Sequence, residues 1–323
     1  MQQLMDHIWY GNSRLQWLLR PFSWLFNLMS TLRRRLILPR QRSFAVPIIV
    51  VGNLTVGGVG KTPLVIALAQ AFQEKGLQAG IVSRGYGAKR KDFPYQVNPK
   101  DCAIDAGDEP LLLARKTNCP VVIAPNRCAA VDYLLANNSC DVIISDDGLQ
   151  HYAMGRQVEI VVIDGLRGLG NGLCLPAGPL REPQARLKKV DFVVMNGRDD
   201  VNAHRMDLQC IELIHLASGK AVSLDCLTLP VAAVAGIGNP HRFFATLKET
   251  GIAHQPYIFP DHHPFCPGDL QFSEAQVVMT EKDAIKCQSF AADNWYYLTV
   301  KAIVNEQFWQ AFWSHQQIKG HLK

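Results

Sequence analysis

A glycine-rich segment near the start of the chain carries the residue types that bind a nucleoside triphosphate. It lies between an apolar run, Val46 to Val51, and a segment with apolar residues at helical spacing, Leu64 to Ala71. Glycines let successive backbone N–H groups face one anion, and the N-terminus of the following helix adds a positive dipole. The lysine could reach the terminal phosphates and the threonine hydroxyl could coordinate Mg²⁺. The predicted phosphate loop comprises Thr55, Gly57, Gly58, Val59, Gly60, Lys61 and Thr62.

The loop departs from the usual spacing at one position. The common motif would place a first glycine where this chain has Thr55. The alternative interpretation is a glycine-rich turn that binds nothing. Such a turn has no need for a lysine and a threonine together at a helix start, so we favour the phosphate site.

Two adjacent aspartates are the first candidates for a metal site. Asp146 and Asp147 directly follow the apolar run Val142 to Ser145. An acidic residue at a strand end opposite a phosphate loop is the expected second support for Mg²⁺. Adjacent carboxylates also repel each other unless a cation lies between them. The alternative is an Asp-Asp-Gly turn without a metal.

A further aspartate is a candidate general base. Asp108 precedes a helix that we expect to begin near Pro110, and its carboxylate could accept the proton of an attacking hydroxyl. Phosphoryl transfer requires positioning and charge neutralisation first and a base second. The alternative is an acidic helix start with proline in the first turn.

Two adjacent histidines follow a predicted strand in the second half of the chain. His262 and His263 lie beside Asp261. Neighbouring side chains on extended backbone diverge, which argues against a two-histidine metal site. We expect one histidine to reach a carboxylate across a cleft between domains, and a solvated loop is the alternative.

Several other polar residues follow predicted strands and would join the same edge of the sheet. Arg181 could clamp a phosphate, and Glu182 could join the metal site or hold Arg181. Arg84 and Tyr86 offer a guanidinium and an aromatic ring. The segments Asn196–Asp199 and Thr280–Asp283 only approximate a guanine-binding motif, so the sequence leaves the choice of base open.

Composition excludes several classes of protein. The chain has 323 residues, 48% hydrophobic and 19% charged, which is not the composition of a disordered chain. Nine cysteines are dispersed without a Cys-x-x-Cys pair, so we expect reduced cytosolic thiols and neither a disulfide framework nor a zinc cluster. The net charge is +5, and residues 1–42 hold seven arginines against one aspartate. We expect no nucleic-acid partner and no obligate protein partner.

The basic N-terminal segment is also amphipathic. Its uncharged run, Pro21 to Leu32, has 12 residues, too few to cross a bilayer at about 20 residues per crossing. It predicts an interfacial helix, with Pro21 starting a second helix or kinking the first. We expect no signal peptide, because the segment is not followed by a cleavage site of small residues. The alternative is a helix packed on its own domain with a solvated basic end, and both can hold at once. The apolar stripe comprises Leu15, Leu18, Leu19, Phe22, Leu25, Phe26 and Met29.

Apolar runs alternate with helical segments along the rest of the chain, which predicts a mainly parallel α/β sheet of the P-loop type. A hairpin linker around Ser218-Gly219 would join it to a second, smaller α/β domain. We place the first domain at residues 1–205, including the N-terminal helix at about 1–42, and the second at 206–323. The predicted strands are Val46–Val51, Ala79–Ser83, Pro120–Ala124, Asp141–Ser145, Glu159–Ile163, Asp191–Met195, Val231–Ala235, Pro256–Phe259, Gln276–Met279 and Trp295–Val300.

In this order, the motifs resemble those of the tetraacyldisaccharide 4′-kinase (lipid A 4′-kinase) family of Gram-negative bacteria. The likeness spans nearly the whole chain, and Thr55 matches the shortened glycine run of that family. The segments that carry it are Gly52-Asn53, Gly57–Pro63, Ser83–Gly87, Gly107–Pro110, Asp146–His151, Pro179–Pro183, Asp261–His263 and Thr280–Asp283.

The resemblance implies a kinase that uses ATP and Mg²⁺ to phosphorylate the 4′-hydroxyl of a tetraacylated glucosamine disaccharide 1-phosphate. It implies peripheral (monotopic) attachment at the cytoplasmic face of the inner membrane. It implies that Asp108 is the base, paired with His262. It implies that Lys61 and Thr62 hold the phosphates and the metal. It implies that Asp146, Asp147 and Glu182 lie around Mg²⁺. The surrounding polar shell would comprise Arg127, Gln150, His151 and Arg181.

Two other classes share the phosphate loop. Partition- or Min-type ATPases also bind membranes, but they place a lysine just before the glycine pair, where this chain has Val56. GTP-dependent metallochaperones need a Cys/His ligand cluster, which the sequence does not suggest.

Overall fold

The computed structural model describes residues 2–11 and 13–321, and within them thirteen strands and ten α-helices. The strands are β1 (Ile48–Gly52), β2 (Ala79–Ser83), β3 (Tyr95–Gln96), β4 (Val121–Ile123), β5 (Val142–Asp146), β6 (Val158–Asp164), β7 (Phe192–Asn196), β8 (His204–His215), β9 (Ala221–Val222), β10 (Val231–Ala235), β11 (His254–Ile258), β12 (Val277–Thr280) and β13 (Trp295–Val304). The helices are α1 (Gln2–Tyr10), α2 (Leu15–Ile37), α3 (Lys61–Glu74), α4 (Ala103–Ala106), α5 (Asp108–Thr117), α6 (Arg127–Asn137), α7 (Pro240–Glu249), α8 (Glu281–Cys287), α9 (Glu306–Ser314) and α10 (Gln316–His321).

One mixed, mostly parallel sheet runs through the described residues, in the order β11-β10-β12-β13-β8-β7-β6-β1-β5-β2-β4-β3, with β9 paired to β8. The antiparallel pairs are β3 with β4, β8 with β13 and β8 with β9. The predicted α/β class is confirmed, and each predicted strand is present; the ends of Ala79–Ser83 and Val231–Ala235 are as predicted, and those of the other strands differ at one or both ends by one to four residues.

Strand β1 shows why these apolar runs form buried parallel strands. All five of its residues are buried, because helices cover both faces of the sheet. Ile49 and Val51 contribute to the core on one face, and Ile48 and Val50 contribute to the core on the other. This alternation follows from the two-residue repeat of a strand.

The predicted hairpin around Ser218-Gly219 is present, and its first arm is longer than expected. Strand β8 pairs with β7 on one side and with β13 on the other. The hairpin is therefore part of the central sheet that joins the two halves of the chain. The domain boundary near residue 205 stays a prediction.

The structure gives the bounds of the two helices that were predicted around prolines. Helix α2 runs through Pro21, the seventh of its 23 residues, so the predicted start of a second helix at this proline is wrong. Helix α5 begins at Asp108, two residues before Pro110, because Gly107 takes a φ of 86° and ends the preceding turn.

Candidate active site

The loop between β1 and α3 has the backbone conformation of a phosphate loop. Gly57 and Gly60 have φ angles of 106° and 94°, in the left-handed region that favours glycine. A Cβ on Gly60 would lie 2.4 Å from the side-chain nitrogen of Asn196, so a larger residue does not fit without a shift. That nitrogen donates to the Val59 carbonyl at 2.9 Å. A side chain at the end of β7 therefore holds the loop in shape.

Lys61 and Thr62 are the first two residues of α3, at the positive end of the helix dipole. Lys61 Nζ lies 3.1 Å from Asn53 Oδ1 and 3.4 Å from Asp147 Oδ1. Asn53 in turn donates to the Thr55 carbonyl at 2.7 Å. The lysine is thus held at the loop by neutral and acidic partners that an anionic phosphate could replace.

The segment that carries Arg181 and Glu182 runs beside the phosphate loop. The Val56 N–H donates to the Pro179 carbonyl at 2.9 Å, and the Arg181 N–H donates to the Leu54 carbonyl at 2.6 Å. The Arg181 guanidinium lies 3.1 Å from an Asp147 carboxylate oxygen. Backbone pairing with the loop therefore places Arg181 at the site.

Asp146 and Asp147 have opposite environments. Asp146 ends β5 and is 1% exposed, and neither of its carboxylate oxygens has a hydrogen-bond partner in the described part of the chain. Burial, with the nearby negative charge of Glu109, raises the pKa of Asp146 to about 7 although Lys61 opposes the change. Burial would also raise the pKa of Asp147, but Lys61 and Arg181 outweigh it and lower that pKa.

The environment of Asp146 fits a divalent cation. A buried carboxylate without a donor is costly, and a cation in contact with it would remove that cost. The register of the sheet pairs Asp146 with Val51 at the end of β1, next to the phosphate loop. Thr62 supplies a hydroxyl of the type that coordinates Mg²⁺ in phosphate loops.

Glu182 is also buried, but it has protein partners. Gln150 donates to one of its carboxylate oxygens at 3.0 Å, and Arg186 forms an ion pair with the other at 3.3 Å. Arg186 also pairs with Glu159 at 2.5 Å. Among residues 2–11 and 13–321, no group of three or more His, Cys, Asp or Glu side chains is arranged to hold a metal.

Asp108 and His262 are 154 residues apart in sequence and in contact in space. His262 Nδ1 lies 2.9 and 3.0 Å from the two carboxylate oxygens of Asp108. Asp108 is buried at the start of α5, and His262 follows β11 with a φ of 59°. The Tyr86 ring lies 4.8 Å from the imidazole ring. The expected reach of one histidine to a distant carboxylate is thus present.

The charges in this pair stabilise each other. Burial would raise the pKa of Asp108, but the hydrogen bond from His262 and the positive charge of Lys282 lower it. Burial would lower the pKa of His262, but the hydrogen bond to Asp108 raises it. His263 takes no part, since its Nε2 lies 3.0 Å from Asp269.

A group of cationic side chains surrounds His151. Burial, together with the positive charges of Arg127, Arg156, Arg33 and Arg84, lowers the pKa of His151 to about 4. Arg127 is 3% exposed, and its Nε has no hydrogen-bond partner in the part of the chain that the structure covers. The positive charges near His151 and the unsatisfied buried donor of Arg127 both favour an anion.

Helix α2 packs on the core by one face and leaves the other face exposed. The Ser23 hydroxyl donates to the Cys174 carbonyl at 2.7 Å, and Phe26 packs against the core on that side of the sheet. The packed interpretation therefore applies to one face of the helix, and the interfacial interpretation of the exposed face stays a prediction. No helix among the described residues is long and apolar enough to cross a membrane. The exposed apolar side chains are Leu15, Trp17, Leu18, Phe22, Trp24, Leu25, Leu28, Met29, Leu32 and Leu36.

An elongated cleft connects the phosphate loop with the second half of the chain. The loop forms one wall, and Glu109 and Lys282 lie at the same cleft. The side-chain amide of Asn196 donates to the Val59 carbonyl, which argues against a role for Asn196 in binding guanine. The apolar residues that also line this cleft include Leu208, Ile237, Phe243, Leu298 and Val300.

The structure thus brings most of the predicted residues to the carboxyl edge of the sheet, around two centres. One holds the phosphate loop, Asp146, Asp147, Arg181 and Gln150, and the other holds the Asp108–His262 pair. Sequence reasoning missed Lys282 as part of the second centre, although its segment, Thr280–Asp283, was noted as a possible base-binding motif. It also missed Arg33 and Arg186, for which the sequence shows no local signal.

The fold and the site together define a P-loop nucleotide-binding protein with a candidate base for a hydroxyl acceptor. The profile of the family described as Tetraacyldisaccharide-1-P 4'-kinase matches residues 15–317. The chain belongs to this family, and it is an ATP-dependent kinase of lipid A biosynthesis. The partition-type alternative is not supported.

Individual relatives agree with this assignment. Tetraacyldisaccharide 4'-kinase of Legionella pneumophila (strain Lens) is 58% identical over 323 residues, which cover 99% of this chain and 100% of that protein. The protein of the same name from Hahella chejuensis is 47% identical over 332 residues, which cover 99% and 98%. LpxK from Aquifex aeolicus, in a crystal structure described as an "apo" form in complex with ATP, is 29% identical with a TM-score of 0.77, covering 96% of this chain and 100% of that one.

Proposed function

We propose that 4′-phosphorylation takes place in the cleft between the phosphate loop and the Asp108–His262 pair. In this mechanism an Asp108 carboxylate oxygen accepts the proton of the 4′-hydroxyl as its oxygen attacks the γ-phosphorus of ATP, and ADP leaves. The observation that carries the proposal is the contact of His262 Nδ1 with Asp108, which keeps a buried carboxylate ionised. An ionised carboxylate can act as a general base.

The phosphate end of the cleft would hold the nucleotide. Backbone N–H groups of the loop and Lys61 would hold the β- and γ-phosphates. Thr62 and Asp146 are the residues that best fit Mg²⁺, which when bound would neutralise charge on the phosphates. Asp147, paired with Lys61 and Arg181, would orient these cations, and Glu182 would hold Gln150 or complete the metal site. The apolar wall with Phe243 and Leu298 suits the flat face of the base.

The cationic group around His151 suits the 1-phosphate of the acceptor. Arg127 offers a buried unsatisfied donor, and Arg84 and Arg33 add positive charge. Guanidinium groups bind phosphate by paired hydrogen bonds. Arg33 belongs to α2, so the same helix that exposes apolar side chains reaches the phosphate site.

The exposed face of α2 would lie in the membrane surface, so that the kinase meets an acylated substrate that remains in the bilayer. Extraction of acyl chains costs about 0.8 kcal/mol per CH₂, which favours an enzyme that comes to the surface. Arginines of α2 near the surface would add about 1 kcal/mol each toward anionic headgroups. We place the protein peripherally at the cytoplasmic face of the inner membrane, where ATP is present.

Replacement of the base tests the proposal. Asp108→Asn should lower kcat for 4′-phosphorylation by about 10²–10⁴ because the amide cannot accept the proton, while ATP binding and the fold are retained. The assay follows transfer of label from ATP to the acylated disaccharide 1-phosphate. The matched control is Asp105→Asn, an exposed carboxylate one helix earlier. Near-normal turnover of Asp108→Asn would contradict the role of Asp108.

A further inference from the structure

Lys282 occupies the centre of the Asp108–His262 site and is not used by the mechanism above. It is the second residue of α8, and its side chain is 16% exposed. Its ammonium lies 3.0 Å from Glu109, 3.2 Å from Asp261 and 3.8 Å from Asp108. A single cation therefore joins three carboxylates from α5 and from the loop after β11.

The same ammonium also faces His262. Lys282 Nζ lies 3.4 Å from His262 Nε2, on the side of the ring opposite to Nδ1. An ammonium carries only donors, so a neutral imidazole beside it presents its lone pair at Nε2 and its proton at Nδ1. That arrangement directs the Nδ1–H bond toward Asp108, the contact on which the mechanism depends.

We propose that Lys282 is a positioning residue of this kinase: it holds His262 with its proton directed at Asp108, and it keeps Asp108 ionised among neighbouring carboxylates. This inference rests on the proposed role of Asp108 as the base. Lys282, from the second half of the chain, would thus act on the base without contacting the reacting atoms.

The surrounding charges explain why a cation is needed at this point. Glu109 on α5 and Asp261 after β11 both lie near the Asp108 site. The negative charge of each would favour the protonated form of the Asp108 carboxyl group. On α8, Lys286 is paired with Asp283 at 2.7 Å. Within residues 2–11 and 13–321, Lys282 is thus the lysine or arginine in direct contact with Glu109 and Asp261, while His262 contacts Asp108 through Nδ1.

The test uses two substitutions at Lys282 and one matched control. Lys282→Met removes the charge and keeps the length of the side chain. Lys282→Arg keeps the charge. The control is Lys116→Met, because Lys116 also joins α5 to α8, by an ion pair with Glu281 at 2.6 Å, without contacting the Asp108–His262 pair.

We expect Lys282→Met to lower kcat by about 10- to 100-fold, the range typical of removing a group that orients a functional side chain, with little change in KM for ATP. The acid limb of the kcat–pH profile should move up by at least about one pH unit, because a nearby cation lowers the pKa of an aspartate by about that much or more. Lys282→Arg should keep the acid limb in place, and Lys116→Met should change neither quantity.

Several results would overturn the inference. A higher KM for ATP with unchanged kcat would mean that Lys282 binds the nucleotide. A shift of the acid limb in Lys282→Arg equal to that in Lys282→Met would exclude charge as the cause. If Lys282→Met does not fold, the arginine variant and its pH profile still decide the matter.

The double variant Asp108→Asn/Lys282→Met separates this inference from the proposed base. If Lys282 acts through Asp108, its removal should have little further effect on kcat once Asp108 is replaced. Full additivity together with a large effect of Asp108→Asn would overturn the inference alone. A small effect of Asp108→Asn by itself would overturn the proposed base.

Discussion

At the scale of residues, neighbours in the sequence have different chemistry because their environments differ. Asp146 lies buried without a donor, whereas Asp147, with a φ of 48°, faces Lys61 and Arg181. The turn of the backbone after β5 therefore separates a carboxylate that needs a cation from one that is already paired. A similar division separates His262, which meets Asp108, from His263, which meets Asp269.

The Asp108–His262 pair should make stability depend on pH. His262 has a pKa raised above its ordinary value of 6.5, so its contribution is fully present below about pH 6.5 and is lost as the pH rises through the raised pKa. Asp108 has a lowered pKa, so its contribution is present above about pH 3.8 and is lost as the pH falls through that lowered pKa.

His262→Gln tests this dependence. The difference in the free energy of unfolding between wild type and variant should be largest between these two limits and should shrink as the pH rises through the raised pKa of His262. Denaturant unfolding at several pH values measures it. The control is His263→Gln, which leaves the pair intact. A difference that does not vary with pH would contradict the ion pair.

At the scale of elements, α2 packs on the core by one face and exposes apolar side chains on the other. Leu18, Leu25 and Met29 are exposed, whereas Ser23 and Phe26 pack on the core. The apolar stripe in the sequence is wider than the buried face needs, so part of it remains on the surface. Large contiguous apolar surfaces of this kind mark interaction sites.

The exposed face of α2 can be tested without removing the helix. Leu18, Leu25 and Met29 are replaced together by glutamine. Binding to liposomes that contain anionic lipid should weaken at least about tenfold, because each buried apolar side chain contributes about 1.5 kcal/mol or more. Sedimentation measures binding, and kcat with a detergent-solubilised substrate checks the active site.

The control replaces three exposed apolar residues of the second half, Leu224, Leu229 and Ile258, by glutamine. These substitutions remove a similar amount of apolar surface and should leave liposome binding unchanged. Equal binding by the α2 variant and the wild type would exclude α2 as the membrane contact.

At the scale of the whole molecule, the two halves of the chain share one sheet and one core. Phe308 and Phe312 of α9 pack in the same cluster as Phe72 of α3, with edge-to-face contact between Phe72 and Phe312 at 5.9 Å. Strand β8 joins β7 to β13. The last helices of the chain thus complete the core around the phosphate-loop domain.

Residues 1–205 should therefore fail to fold when produced alone. The fragment would expose the edge of β7 and the apolar surface that α9 covers, and large apolar surface in water is unfavourable at about 25 cal/mol per Å². Near-UV circular dichroism and thermal unfolding compare it with the full chain. A cooperative transition in the isolated fragment would show instead that the first domain folds independently.

Local patterns in the sequence determined the phosphate loop, the positions of most strands along the chain and the amphipathic N-terminal helix. Glycine spacing, two-residue and 3.6-residue repeats and turn residues act between near neighbours, so they can be recognised without the fold. The identity of Asp108 and His262 as a pair came from the family resemblance, since the residues alone indicated only that a histidine would meet some carboxylate.

Only the tertiary structure decided which distant groups meet. Lys282 joins Glu109 and Asp261, and Arg33 reaches the surroundings of His151, although no local pattern links these residues. Their charges act through space and depend on burial. The distances between these charged groups and their exclusion from solvent both depend on the packed sheet. The same packing brings Asp108 and His262, 154 positions apart, into hydrogen-bond contact.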